Sequence, residues 1–262
     1  MEDCTIINLK NGIKIKKTYS YKFEISFFSE TSKDSINIIF KSIESILNNC
    51  KIYSNNIITF YANNVNILER KRNKEEIETP KKINYNEGIN IIKNLTHQIS
   101  NIEKENYTFY TLDPQQIIEI NINNERETNK YIYLGLDYII PINKKTDIHT
   151  INFLSPREKT GIMSPEVINI RKLPSSVTYK SIYYSLAIFI FNHVLNEKYT
   201  NTNININTQN ILDEIHEIDK YILSKSSQIK NTELYWYIIK NASINPNNRT
   251  LFFTHTHDKL NI

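Results

Sequence analysis

The chain has 262 residues, 32 Lys and Arg against 28 Asp and Glu, and is 40% apolar with 17 Tyr and 11 Phe. That length and stock of large side chains give one or two domains with a hydrophobic core, and exclude a disulfide-stapled miniprotein or a disordered polymer. A net charge of +4 over the whole chain is too dilute for the footprint of a nucleic-acid binder, so no nucleic-acid partner is expected.

Residues 5 to 28 nearly alternate between β-branched or aromatic and polar side chains, with one turn signal at Asn11-Gly12, which predicts a β-hairpin and a further strand. Ile36, Ile39, Phe40, Ile43, Ile46 and Leu47 then recur at helical spacing after Ser32 or Asp34 as N-cap. Strands are expected over 52–61 and 65–68, followed by a charged linker over 69–82 that contains Pro80. Beyond it, Ile89, Ile92, Leu95, Ile99 and Ile102 draw one apolar stripe along a helix over 86–105.

Short strands are expected over 117–120, 131–134 and 138–142, then an irregular segment. The apolar run Ile182 to Leu195 is shorter than the ~20 residues of a membrane span and predicts a buried core helix. Thr208 and Thr232 cap two further helices, the second running through Ile239. This order predicts an α+β fold of two unequal units, 1–78 and 83–262.

Asn (37), Ile (48) and Lys (26) are over-used while Ala supplies 3 and Gly 4, which is the imprint of an AT-rich genome on codon usage. Cys4 and Cys50 have no metal-site or disulfide spacing, and MEDCTIINLK has no signal-peptide pattern, so an intracellular, cytoplasmic setting is expected. His255 and His257 read as a solvated tail rather than a metal site, and no metal is expected. Ser155-Pro156 and Ser164-Pro165 are phosphorylation sites by type, and Tyr235, Trp236 and Tyr237 are expected to pack the last helices.

Three motifs in order carry a resemblance to a protein kinase domain over about 86–253. Met163-Ser164-Pro165-Glu166 resembles the Ala-Pro-Glu end of an activation segment, with Leu173-Pro174 after it. Tyr184-Ser185-Leu186-Ala187 is similar to the Trp-Ser-Leu-Gly of the central buried helix. Asn245-Pro246-Asn247-Asn248-Arg249-Thr250 is similar to the family's Asp-Pro-x-x-Arg motif. The resemblance implies a two-lobe fold, with a small reduced β-rich N-lobe and a mainly helical C-lobe, and a buried ion pair between Glu166 and Arg249 that anchors the activation segment.

The same register implies that the catalytic groups are lost, as in degenerate kinases of large DNA viruses. Aligned on Leu112, Pro114 and Ile117, the catalytic Asp falls on Thr111 and the metal-binding Asn on Gln116, while the Asp-Phe-Gly triplet falls on Leu134, Gly135 and Leu136. Phosphoryl transfer needs a carboxylate to take the hydroxyl proton, and Mg²⁺ takes carboxylate oxygen. Gly12 is the one glycine before residue 88, so no phosphate-covering loop is visible; Lys22 with Glu44 is the weak candidate for a nucleotide-binding pair.

The expectation is therefore a pseudokinase that acts as a protein-binding or scaffolding module, with no cofactor, no membrane contact, and host cytoplasm or virion as its place if the source is viral. Two alternatives stay open. One is an active phosphotransferase that uses ATP and Mg²⁺ with relocated carboxylates, Asp113 and Asp137. The other is a non-kinase structural or virion-associated α+β protein.

Overall fold

The structure is a computed structural model that describes residues 6–9, 12–28, 32–47, 49–54, 56–68, 82–122, 129–145, 148–153, 161–170, 172, 175–195 and 220–251. Asn11, the linker before Lys82, Ser155-Pro156, Leu173-Pro174, the helix predicted after Thr208 as far as 219, and His255 with His257 lie outside the described residues.

The amino-terminal strands β1 (Ile6–Asn8), β2 (Lys14–Tyr19), β3 (Lys22–Ser26), β4 (Lys51–Ser54) and β5 (Ile57–Tyr61) form one antiparallel sheet in the order β1-β2-β3-β5-β4. The turn between β1 and β2 needs Gly12, whose φ of 74° is costly for other residues. The single strand expected over 52–61 is a hairpin instead. Ser54 Oγ donates to Asn56 Oδ1 at 2.9 Å, a local side-chain bond that favours a turn over continued pairing. Helix α1 (Lys33–Glu44) buries Ile36, Ile39, Phe40 and Ile43, and Phe40 meets Phe27 edge-on at 5.2 Å on the inner face of the sheet.

Strand β6 (Asn64–Ile67) leaves that sheet and pairs with β9 (Ile117–Asn121), whose other side pairs with β10 (Lys130–Tyr133). Between them lies α2 (Tyr85–Lys104), started by Asn84, whose Oδ1 accepts the Glu87 N–H at 2.8 Å. Its apolar stripe is buried, and its opposite end joins α1: Lys41 pairs with Glu105 at 3.1 Å and Asn101 Nδ2 donates to Ser45 Oγ at 2.7 Å.

The remainder holds more strand than the expected mainly helical unit. Strand β7 (Tyr107–Phe109) pairs with β11 (Ile139–Pro141), and β8 (Thr111–Leu112) with β14 (Ile162–Met163). Strands β12 (Asn143–Lys145), β13 (Ile148–Phe153) and β15 (Ser175–Thr178) form a third sheet inside the segment read as irregular. Their Ser, Thr, Asn and Lys content hides the apolar alternation that would announce strands.

Short α3 (Pro165–Ile168) precedes α4 (Ser181–Leu195), which is buried on every side from Ser181 to His193 and packs against α2 and α5 (Glu233–Asn241). Thr232 Oγ1 accepts the Tyr235 N–H at 3.2 Å and starts α5, as its sequence predicts. One continuous apolar cluster runs from Leu9 to Leu251 through both sheet-rich and helical parts. Tyr237 joins it, but Trp236 is 53% exposed, which corrects the expectation that this ring packs the core. No helix among the described residues is long and apolar enough to cross a membrane.

Candidate functional site

Arg249 and Glu166, 83 positions apart, meet in a bidentate pair. Arg249 Nη1 donates to Glu166 Oε1 and Nη2 to Oε2 at 3.0 Å, while Nε donates to the Ser243 carbonyl at 2.8 Å and Nη2 also reaches the Ile244 carbonyl at 3.1 Å. The guanidinium is fully buried and lies 5.0 Å from the Tyr184 ring centroid. Ser181 Oγ sits 3.0 Å from Glu166 Oε1, so the first residue of α4 joins the pair. Thus α3, the amino end of α4 and the turn after α5 converge on one charge pair whose polar atoms are occupied. Ser164 is fully buried as the residue before α3, which removes it from kinase access in this conformation.

At the loop registered on catalysis, Thr111 is fully buried and its Oγ1 donates to the Ile162 carbonyl at 2.8 Å, locking β8 to β14. Asp113 is 3% exposed; its Oδ1 accepts the Gln115 N–H at 3.1 Å and caps the 3₁₀ turn Pro114–Gln116. The Tyr138 hydroxyl lies 3.5 Å from Asp113 Oδ2. Gln116 is fully buried and neither its Oε1 nor its Nε2 has a hydrogen-bond partner. Its backbone carbonyl accepts the Leu134 N–H at 2.9 Å, so the two positions registered on metal ligands are adjacent. They offer an amide and an alkyl group. Such a donor set does not suit Mg²⁺, which takes carboxylate and phosphate oxygen.

Leu134 is fully buried and Leu136 nearly so. Gly135 has no positive φ; a side chain there would collide with the Tyr133 ring, which folds back beneath it. The Tyr133 hydroxyl accepts the Asp113 N–H at 3.0 Å and donates to the Thr111 carbonyl at 3.2 Å, and burial holds that phenol well above its ordinary pKa. Sequence reasoning missed Tyr133 and Tyr138 as the groups that fill this loop. The signal was present in the alternation of Tyr131 and Tyr133 along one strand.

Lys22 and Glu44 are not brought together. Lys22 shares the outward face of β3 with Glu24, because Phe23, Ile25 and Phe27 point inward, and Glu44 is exposed at the end of α1. The inner face of β2, β3 and β5 over α1 carries Ile15, Phe23, Ile25, Ile58 and Phe60, all buried. Asp137, the other relocated candidate, is partly exposed in the first turn of the 3₁₀ helix Leu136–Tyr138. Among the described residues no cluster of three His, Cys, Asp or Glu is placed to hold a metal ion.

Two further features involve α3 and α4. A cleft of about 630 Å³ opens beside the ion pair, walled by Glu166, Asn169, Lys172, Ser175, Ser176 and Asn247. At the end of α2, the Tyr183 hydroxyl sits 2.8 and 2.9 Å from the two oxygens of Glu103. Burial pushes the Glu103 carboxyl up to about 8, against the lowering pull of that hydroxyl and of Lys180.

No protein-family model matches the sequence, and no curated protein matches it either. Among solved structures the chain is similar to the kinase PK-1 of Cydia pomonella granulovirus, with a TM-score of 0.51 at 12% identity over 95% of this chain and 91% of that one. At that identity the likeness speaks for architecture alone, and what it shows is that this chain has a protein-kinase-like fold.

Proposed function

We propose that the chain is a pseudokinase: a kinase-like scaffold that acts by binding other proteins and does not transfer phosphate. The observation that carries this reading is the fully buried trio Thr111, Gln116 and Leu134, which supplies no carboxylate where the proton acceptor and the metal ligands are needed. The inner face of the small sheet is compatible with it: Lys22 of β3 faces away from α1, and the lysine that register places on the inner side, Lys17 opposite Phe23, belongs to β2. The division of labour between regions supports it, with the Glu166 to Arg249 pair intact beside a silent loop.

Asp113 is the carboxylate closest to the lost position in sequence, and its role in this reading is to cap a turn under two tyrosines. The test is direct. Purified chain should give no Mg²⁺-dependent thermal shift with ATP and no autophosphorylation. Turnover that disappears in Asp113→Asn or Asp137→Asn would establish the active alternative instead.

A further inference from the structure

The solvent side of the five-stranded sheet has a composition that neither the core nor the kinase-like reading explains. Cross-strand register sets three rows on it: Ile6, Lys16, Glu24, the buried Thr59, and Lys51; Asn8, Lys14, Ser26 and Ile57; and Tyr19, Lys22 and Tyr61. Four lysines therefore face solvent against one glutamate. Lys14, Lys16 and Lys22 belong to β2 and β3, which are interior strands, so the use of lysine to protect sheet edges does not account for them. Tyr19 is 70% exposed and Tyr61 54%, one on each side of Lys22. Phe28, 49% exposed, continues the outward alternation of β3 and has the Lys14 ammonium 5.0 Å from its ring centroid.

Rows of cations flanked by bare rings match a partner that alternates fixed negative charge with flat apolar surface. A run of acidic side chains alone satisfies the lysines and leaves Tyr19 and Tyr61 wet. A single-stranded polynucleotide satisfies both, because its phosphates pair with ammonium groups while its unstacked bases lie on aromatic side chains. Duplex hides those base faces. The whole-chain charge conceals this face, since acidic residues elsewhere cancel it in the sum. We propose that the outer face of the β1-β2-β3-β5-β4 sheet binds single-stranded nucleic acid, with Lys14, Lys16, Lys22 and Lys51 on phosphates and Tyr19 and Tyr61 stacked on bases. This reverses the partner expectation drawn from net charge, and it is independent of whether phosphate is transferred.

Fluorescence anisotropy of the full chain with labelled oligouridine and oligothymidine of about 12 nucleotides tests it. Binding should weaken with salt, with a log–log slope of roughly −3 from four phosphate contacts. The double variant Lys14→Glu, Lys16→Glu should weaken binding at least about tenfold and flatten that slope. Tyr19→Ala with Tyr61→Ala, both at exposed positions, should weaken it about fivefold or more and leave the slope unchanged. Circular dichroism and Tm of each variant separate lost contact from lost fold. Absence of binding at low salt would overturn the proposal, as would tyrosine variants that bind normally. So would polyglutamate or duplex competing as well as single strands, an outcome that would mark a general acidic-partner surface.

Discussion

The junction of α3, α4 and the turn after α5, and the loop 111–116, treat buried polar groups in opposite ways. At the junction, Arg249 uses its guanidinium on Glu166 and on two carbonyls, and Ser181 adds a contact to the same carboxylate. In the loop, Gln116 is equally buried and neither polar atom of its amide is partnered. The difference teaches where shape depends on polar chemistry and where a polar side chain survives without a structural task. A bonded buried charge pair costs several kcal/mol to break from one side, whereas an unpartnered amide is a standing cost whose removal stabilises.

The largest effect expected from this contrast is at the pair. Arg249→Ala strands Glu166 and should lower unfolding free energy by about 3–5 kcal/mol in urea denaturation. A loss under about 1 kcal/mol would erase the contrast, because the pair would then be no more than a surface contact. Intermediate in size is the Glu103 carboxyl, whose pKa burial raises. Its folded pKa of about 8 lies above the usual 4.5, so the folded state keeps a proton that the unfolded chain releases. Stability should therefore fall as pH rises from about 4.5 to about 8 and level off beyond. Glu103→Gln should remove most of that slope and raise stability at pH 8 by on the order of 2 kcal/mol, after allowance for partial solvent access. A Tm profile with the same slope in wild type and variant would show that the carboxyl ionises freely.

The smallest expected change sharpens the other side of the contrast. Gln116→Leu removes two buried unpartnered atoms at similar volume and should stabilise by about 1 kcal/mol, read as a higher urea midpoint with unchanged slope. Destabilisation would show that the amide contributes to the fold, which would erase the contrast.

How legible all this was varied with the length of the pattern. Helix α2 and helix α4 were readable because twenty and fifteen residues of consistent periodicity or apolarity leave few alternatives. The Glu166 to Arg249 contact was legible through motif order, a non-local relation that periodicity does not contain. The outward placement of Lys22 was legible too, since the alternation of Phe23, Ile25 and Phe27 assigns it to the opposite face from the core. The β6 to β9 pairing and the β12-β13-β15 sheet were out of reach, because their short strands gain most of their stability from partners distant in sequence.

Gln98 on α2 has a wider consequence than its own burial. Its amide exchanges two hydrogen bonds of 2.9 Å with the backbone of Tyr133, where β10 has no further strand neighbour among the described residues, and its Nε2 also lies 3.2 Å from Ser42 Oγ on α1. With Ser45 to Asn101 and Lys41 to Glu105 further along the same seam, α1 and α2 are fastened side by side. A displacement of α1 is therefore passed directly to α2 and, through Gln98, to β10.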